Sequence, residues 1–110
     1  MPTETRRAHD RIDVSFELRL RHGDREAQAR CLNISQGGMF IEVEEPIQIG
    51  EVITATFLLP DHPKPIAAEA RVCWSERTPK RGVGVKFIGL RAIEVWAINQ
   101  LFRRKSRGEM

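Results

Sequence analysis

The chain has 110 residues, which suits one domain, since domains commonly contain about 100–150 residues. Hydrophobic residues make up 41% and charged residues 30% of the chain, a balance that excludes a wholly disordered protein. Its apolar stretches are far shorter than the roughly 20 residues needed to cross a bilayer. The N-terminal residues also lack the apolar region of a signal peptide. We therefore expect cytoplasmic localisation without membrane insertion.

The distribution of charge is more informative than its total. The net charge of +3 by itself suggests an anionic partner. Residues 1–90, however, hold 13 basic and 13 acidic side chains, whereas residues 91–110 hold five basic and two acidic ones. The excess therefore lies in the C-terminal segment, chiefly in Arg103, Arg104, Lys105 and Arg107. This segment is a candidate contact surface for a partner protein, although cations also stabilise the C-terminal end of a helix.

Residues 1–11 are polar and show no apolar periodicity, which predicts a flexible N-terminal arm. Strict alternation of apolar and polar residues then begins at Ile12 and predicts a strand with one buried face. Five further segments, bounded by glycine, proline or asparagine turns, predict the remaining strands. The predicted strands cover residues 12–21, 27–34, 39–43, 52–59, 66–74 and 82–88.

From Arg91 onward the apolar residues recur at helical spacing, which predicts one amphipathic helix with Trp96 packed against the strands. No strand–helix–strand alternation occurs, so a parallel sheet is disfavoured. Closure into a barrel would remove exposed strand edges. The predicted fold is all-β: a six-stranded antiparallel β-barrel over residues 12–90, followed by a C-terminal α-helix and basic tail over residues 91–110.

The sequence contains no arrangement typical of catalysis or of metal binding. Its histidines, His9, His22 and His62, are scattered, and no Ser-His-Asp or Cys/His pattern can be traced. Cys31 and Cys73 lie in apolar runs without C-x-x-C spacing, which predicts two buried, reduced thiols rather than a disulfide or a redox pair. We therefore expect no enzyme activity, no catalytic residue, no metal and no cofactor.

The first candidate binding feature is the arginine-rich run of the arm. Arg6, Arg7 and Arg11 stand in a segment that has no core to pack into. A planar guanidinium can bind a phosphate with two hydrogen bonds, or the O6 and N7 acceptors of a guanine. A solvated charge cluster at a chain terminus is the alternative interpretation.

The second candidate feature is the segment of residues 33–38. In extended backbone Asn33 and Ser35 point to one face and Ile34 to the other, so we expect the polar pair to face solvent. An amide can read a purine edge, and a hydroxyl can donate to a phosphate oxygen. Gly37 and Gly38 allow positive φ and a close approach of the backbone to a ligand. A plain turn uses the same residue types and is the alternative here.

Together the two features form a recognisable pattern. Arg7 and Arg11 have R-x-x-x-R spacing, and Asn33, Ser35 and Gly38 have [D/N]-x-S-x-x-G spacing. This pair of motifs resembles the PilZ domain family of bacterial receptors for the second messenger cyclic di-GMP. The resemblance runs from about residue 6 to residue 90 and includes segments similar to the family's closing hairpin, residues 70–74 and 84–87.

The resemblance implies a barrel that carries cyclic di-GMP on its outer surface, with the arm folding over it as a clamp. Arg7 and Arg11 would bind the phosphates and the guanine Hoogsteen edges, and Arg6 would add a third contact. Asn33 would hydrogen-bond a guanine. Ser35 would bind a phosphate or the adjoining backbone.

Three more residues complete the ligand-binding set that the resemblance implies. Gly38 would keep the surface open beside Gly37. Trp74 matches a position where some members stack a side chain on a guanine, and a core or rim tryptophan is an equally good interpretation. The resemblance leaves the ligand stoichiometry and the oligomeric state open.

The resemblance further implies an adaptor that orders its arm on binding and signals to an unidentified effector protein in control of motility, exopolysaccharide or virulence. One alternative is a PilZ-like adaptor that acts without ligand. A small RNA- or DNA-binding barrel is a weaker alternative, because Trp74 is the only obvious surface aromatic and stacking platforms usually need several. We therefore expect no nucleic-acid polymer as a partner.

Overall fold

The structure is a computed structural model that describes residues 11–44, 47–59, 62–77 and 81–106. The six strands are β1 (Ile12–His22), β2 (Arg25–Ile34), β3 (Gly38–Glu42), β4 (Val52–Phe57), β5 (Ile66–Glu76) and β6 (Gly82–Phe87), and the helix α1 is Ala92–Ser106. Residues 1–10 of the predicted arm and residues 107–110 of the predicted tail lie outside the described residues.

The strands form a closed antiparallel barrel in the order β1-β2-β3-β6-β5-β4. This confirms the predicted six-stranded barrel with a C-terminal helix. Each predicted strand is present, and its ends differ from the prediction by about two residues or fewer. The turn between β1 and β2 contains Gly23 at a φ of 66°, a left-handed conformation that favours glycine.

The barrel interior is filled by the apolar residues that alternate along each strand. In β5 the residues with even numbers from Ile66 to Val72 are buried, and in β6 Val83 and Val85 are each 1% exposed. The outer end of the β1–β2 hairpin is different, because residues 25–28 are exposed on both faces. The hairpin therefore extends past the packed interior at that end.

Helix α1 begins with a carboxylate cap. The backbone N–H of Arg91 donates to Glu94 Oε1 at 2.9 Å, and the Arg91 guanidinium pairs with Oε2 at 2.9 Å. Burial by itself raises the pKa of Glu94, but these hydrogen bonds outweigh it and hold the pKa below its ordinary value. Glu94 can therefore remain charged on the buried side of the helix, at the N3 position where such caps occur.

The buried face of α1 does not include Trp96. Glu94, Ala97 and Leu101 lie on it, at the i, i+3, i+7 spacing of one helical face. Ile93 and Trp96 lie on a neighbouring face and are 51% and 48% exposed. The prediction that Trp96 packs against the barrel is wrong, because the capped Glu94 takes the inward side of the first turn.

The helix also contacts the turn that follows β2. The side-chain amide of Gln36 donates to Asn99 Oδ1. This hydrogen bond places α1 beside residues 33–38, the second candidate binding feature of the sequence. In the part of the chain that the structure describes, no helix is long and apolar enough to cross a membrane.

The two cysteines differ in environment, contrary to the prediction that both are buried. Cys31 is fully buried in β2, whereas Cys73 is exposed on β5. Cys73 follows Val72, the last of the regularly alternating inward residues of β5, and therefore lies on the outer side. Burial raises the pKa of the Cys31 thiol to about 12, which keeps it protonated and unreactive at neutral pH.

We expect a maleimide to label one cysteine in the folded protein and both cysteines after denaturation, because Cys73 is accessible and Cys31 is not. Mass spectrometry of the intact chain measures the number of labels. In Cys73→Ser, the matched control, the folded protein should take no label. Two labels on the folded wild-type chain would contradict the burial of Cys31.

Candidate ligand-binding site

A β-bulge in β2 sets the direction of Asn33. Cys31 pairs with Ile41, and Asn33 pairs with the next residue of β3, Phe40, so Leu32 is an extra residue in β2. Such a bulge shifts the alternation of side chains by one residue. Cys31 can therefore point inward while Asn33, two residues later, is partly exposed on the outer face.

A second bulge sets the direction of Trp74. In β5, Val72 pairs with Val85 and Trp74 pairs with the adjacent residue of β6, Gly84, so Cys73 is the extra residue. Val72 is 1% exposed, and regular alternation would also bury Trp74. Because the bulge intervenes, Trp74 lies on the outer surface, where it is 36% exposed. It is therefore not a residue of the barrel interior.

The two bulges align a row of residues across four strands. Asn33, Phe40, Gly84 and Trp74 are successive register partners on β2, β3, β6 and β5. The ring centroids of Phe40 and Trp74 are 6.4 Å apart with 22° between the ring planes. The row therefore presents an amide at one end and a flat aromatic surface at the other.

Arg11, just before β1, connects the two ends of the row. Its Nη1 donates a hydrogen bond to Asn33 Oδ1 at 2.7 Å. Its Cζ lies 5.3 Å from the centroid of the Trp74 ring, within the range of a cation–π interaction. The last arginine of the R-x-x-x-R motif thus contacts the first residue of the [D/N]-x-S-x-x-G motif.

Ser35 holds the shape of the turn and does not face solvent, contrary to the prediction. It is 3% exposed, and its Oγ accepts hydrogen bonds from the backbone N–H groups of Gly37 at 3.1 Å and Gly38 at 3.2 Å. Its own backbone N–H donates to the Gly38 carbonyl at 2.8 Å. The serine of the motif is thus satisfied by the backbone of the same turn, a local pattern common for serine.

Gly37 and Gly38 of the motif allow the backbone of this turn to lie close to the backbone of β6. A Cβ atom on Gly38 would lie less than 3.0 Å from the Val85 carbonyl oxygen of β6. The Gly37 carbonyl accepts a hydrogen bond from Phe87 N–H at 2.8 Å. The positive φ that glycine allows is adopted elsewhere in the described residues, at Gly23, Gly50 and Gly89. Here the absence of a side chain allows the turn to pack on β6.

Sequence reasoning thus found most, but not all, of this surface. Arg11, Asn33 and Trp74 come together, and Ser35, Gly37 and Gly38 form the adjoining turn. Arg6 and Arg7 lie outside the described residues. Sequence reasoning missed Phe40 and Gly84. The signal for Gly84 was available, because the alternating glycines of Gly82-Val83-Gly84 within a strand indicate a close approach from outside.

A cavity among the described residues lies apart from this row. It has a volume of about 480 Å³ and is lined mainly by the β1–β2 hairpin and by residues 43, 44 and 47. None of the motif residues within the described ranges lines it. Within the described part of the chain, no cluster of three or more His, Cys, Asp or Glu side chains is suited to hold a metal ion.

The fold and this surface define a small closed β-barrel domain with an arginine, an asparagine and a tryptophan gathered on its outer face. The family model described as PilZ domain matches residues 5–104, and the chain belongs to that family. No curated protein sequence matches the chain.

Solved structures share the fold at low sequence identity. The Bacillus subtilis inhibitor of motility MotI/DgrA is similar with a TM-score of 0.83 at 23% identity, covering 99% of this chain and 58% of that protein. Escherichia coli YcgR in complex with c-di-GMP is similar with a TM-score of 0.71 at 19% identity, covering 94% of this chain and 49% of YcgR. The K. pneumonia MrkH–c-di-GMP complex is similar with a TM-score of 0.74 at 13% identity, covering 94% and 54%. The chain thus spans about half the length of these proteins.

Proposed function

We propose that this chain is a cyclic di-GMP receptor that binds the dinucleotide over the row from Asn33 to Trp74. One observation carries the proposal: Arg11 of the first motif donates to Asn33 of the second while its guanidinium lies over Trp74. The family membership supports the same ligand, as do the similar folds of YcgR and MrkH, whose structures are complexes with c-di-GMP.

The chemistry of the row suits a guanine base. The Hoogsteen edge of guanine offers two acceptors, O6 and N7, which match the two parallel N–H groups of an arginine such as Arg11. The Asn33 amide can both donate and accept at the base edge. The flat face of Trp74 suits the π-face of a base, and base–aromatic stacking contributes about 1–3 kcal/mol. Arg11 would then exchange part of its contact with Asn33 or Trp74 for contacts with the ligand.

The arginines of the N-terminal arm would bind the phosphates of cyclic di-GMP. Arg6 and Arg7 precede Arg11 closely enough to reach the same ligand, and arginine–phosphate hydrogen bonds are charge-assisted and strong. Fixing the backbone of the arm costs about 1–2 kcal/mol per residue, and these contacts must offset that cost. We therefore propose that the arm becomes ordered on the ligand and that the rearranged surface is the signal.

The signal would pass to a partner protein, so the chain acts as a binding module rather than as an enzyme. The similar B. subtilis protein is an inhibitor of motility, which makes motility one process to examine. Helix α1 is the surface we favour for the partner. Gln36 links it to the turn of the second motif, and Ile93 and Trp96 are exposed on it.

Calorimetric titration with cyclic di-GMP tests the proposal and reports the stoichiometry at the same time. We expect saturable binding, with the linear dinucleotide pGpG and a short oligonucleotide as controls. Affinity for a polymer would fall steeply with added salt because many counterions are released. The affinity for cyclic di-GMP should fall less. No heat at protein concentrations on the order of tens of micromolar would overturn the proposal and favour an adaptor that acts without ligand.

A further inference from the structure

Gly84 of β6 lies directly beneath the indole ring of Trp74. A Cβ atom built on Gly84 would be less than 3.0 Å from three atoms of the six-membered part of the ring: Cε2, Cζ2 and Cη2. Real Cβ contacts are essentially never this short. Trp74 can thus lie flat against the strand only because residue 84 has no side chain.

The ring has little freedom to yield to a larger residue. Phe40 is its neighbour across β6, with ring centroids 6.4 Å apart, and Phe40 is itself only 8% exposed. On its outer side the Arg11 guanidinium lies 5.3 Å from the ring centroid. A methyl group at position 84 would therefore push the indole outward, into the space that Arg11 occupies.

We propose that Gly84 is a positioning residue for ligand binding, which acts by holding Trp74 flat as a platform for Arg11 and for the base. The proposal rests on the proposed function. It adds a residue that belongs to neither sequence motif and contacts the ligand only through Trp74.

Gly82, two residues earlier on the same face, also lies against an aromatic ring, but its contacts with a side chain and with the backbone cannot be tested separately. A Cβ atom on Gly82 would lie within 2.7 Å of the Phe40 ring and also 2.7 Å from the Ile41 carbonyl oxygen. Alanine at position 82 would therefore also strain the pairing of β3 with β6. At Gly84 the three nearest atoms all belong to Trp74, so Gly84→Ala tests the platform with less disturbance of the backbone.

The first experiment follows the platform without ligand. The chain has two tryptophans, so Trp96→Phe leaves Trp74 as the sole tryptophan emitter. In this background we expect Gly84→Ala to shift the Trp74 emission to longer wavelength and to increase its quenching by acrylamide. Gly23→Ala is the matched control. It strains a turn glycine with a φ of +66° that has no neighbouring atom within 4 Å of the added Cβ, and should leave the emission unchanged. Unchanged Trp74 emission in Gly84→Ala would contradict the proposal that Gly84 holds the Trp74 ring in place.

The second experiment measures cyclic di-GMP affinity in a double-mutant cycle. We expect Gly84→Ala to weaken binding about tenfold, the low end of what a stacking contact contributes. In a Trp74→Ala background the same change should cause no further loss, because the atoms it displaces are gone. An equal loss in both backgrounds would overturn the proposal, since Gly84 would then act independently of Trp74. Wild-type affinity in Gly84→Ala would also overturn it.

Stability measurements separate positioning from misfolding. If Gly84→Ala lowers the urea midpoint, Trp74→Ala in the same chain should restore it by removing the collision. A midpoint that is not restored would contradict the proposed contact. If the wild-type chain does not bind cyclic di-GMP at all, the proposed function fails and the binding role of Gly84 fails with it. If the wild-type chain binds cyclic di-GMP and Gly84→Ala binds it less tightly, the result supports both the proposed function and the role of Gly84.

Discussion

Replacing Arg11 with alanine is expected to lower the affinity for cyclic di-GMP by about 100-fold or more while the barrel stays folded. Without ligand, Arg11 lies between the two ends of the proposed site, 2.7 Å from Asn33 Oδ1 and over the Trp74 ring. In the proposed complex Arg11 instead donates to the Hoogsteen edge of a guanine, and a hydrogen bond that involves a charged group contributes about 1.5–3 kcal/mol. Losing such a two-bond contact corresponds to roughly two orders of magnitude or more in the dissociation constant.

Two further variants show which property of Arg11 matters. Arg11→Lys keeps the charge but loses the planar pair of donors, so we expect an intermediate loss of about tenfold. Arg19→Ala is matched in charge, because it also removes one arginine; Arg19 is exposed, and its partner Glu26 lies on the β1–β2 hairpin. It should bind as the wild type does. Titration calorimetry measures all three, with thermal unfolding as the check on folding. Wild-type affinity in Arg11→Ala would contradict the proposed site.

The sequence predicts the barrel well because strand alternation reflects burial directly. Residues 12–20 follow period two with their apolar members toward the interior, and in residues 66–72 the even-numbered positions are buried. The same rule fails where a strand contains an extra residue. Nothing in the pattern marks Leu32 or Cys73 as bulge residues, so alternation by itself gives the wrong direction for the side chains that follow.

The candidate site is less predictable than the fold because it depends on those irregularities. The resemblance carried by the two motifs implies a shared site for Arg11 and Asn33, and the structure places these residues in contact although 22 residues separate them. The motif does not reveal that the Ser35 side chain points inward. There its hydroxyl oxygen accepts hydrogen bonds from two backbone N–H groups of the same turn. Whether Trp74 lies in the barrel interior or on the outer surface depends on the single bulge at Cys73, which places it on the surface. Local pattern thus identifies the residues, and the register of the strands decides their direction.

The direction of the helix shows the same limit. Residues 93–102 contain enough apolar side chains for more than one inward face. Hydrophobicity alone favours a face that includes Ile93 and Trp96. The ion pair and backbone cap of Glu94 with Arg91 change that balance, because a charged residue that is fully hydrogen-bonded can be buried at low cost. Trp96 remains 48% exposed.

Replacing Ile34 with alanine is expected to lower the free energy of unfolding by about 2–5 kcal/mol. Ile34 is fully buried and pairs in register with Ile12 of β1 and Met39 of β3. The change removes buried methyl and methylene groups and leaves a cavity that the closed barrel cannot easily fill. Since small domains are stable by about 5–15 kcal/mol, this is a large fraction of the total.

Urea unfolding measures the effect, and the chain offers a matched control. Ile49→Ala deletes the same atoms from a side chain that is 64% exposed and should change stability by less than about 0.5 kcal/mol. Ile34→Val should cost about 0.5–1.5 kcal/mol. Equal effects of Ile34→Ala and Ile49→Ala would contradict the burial of Ile34.

The same unfolding measurement separates a structural defect from a binding defect at this end of β2. A ligand that binds only the folded chain raises its stability by an amount set by ligand concentration and affinity. Ile34→Ala keeps Asn33 and Arg11, so saturating cyclic di-GMP should restore part of the lost stability. Arg11→Ala should unfold near the wild-type midpoint without ligand and gain almost nothing from it. If the ligand stabilises both variants equally, Arg11 is not part of the binding surface.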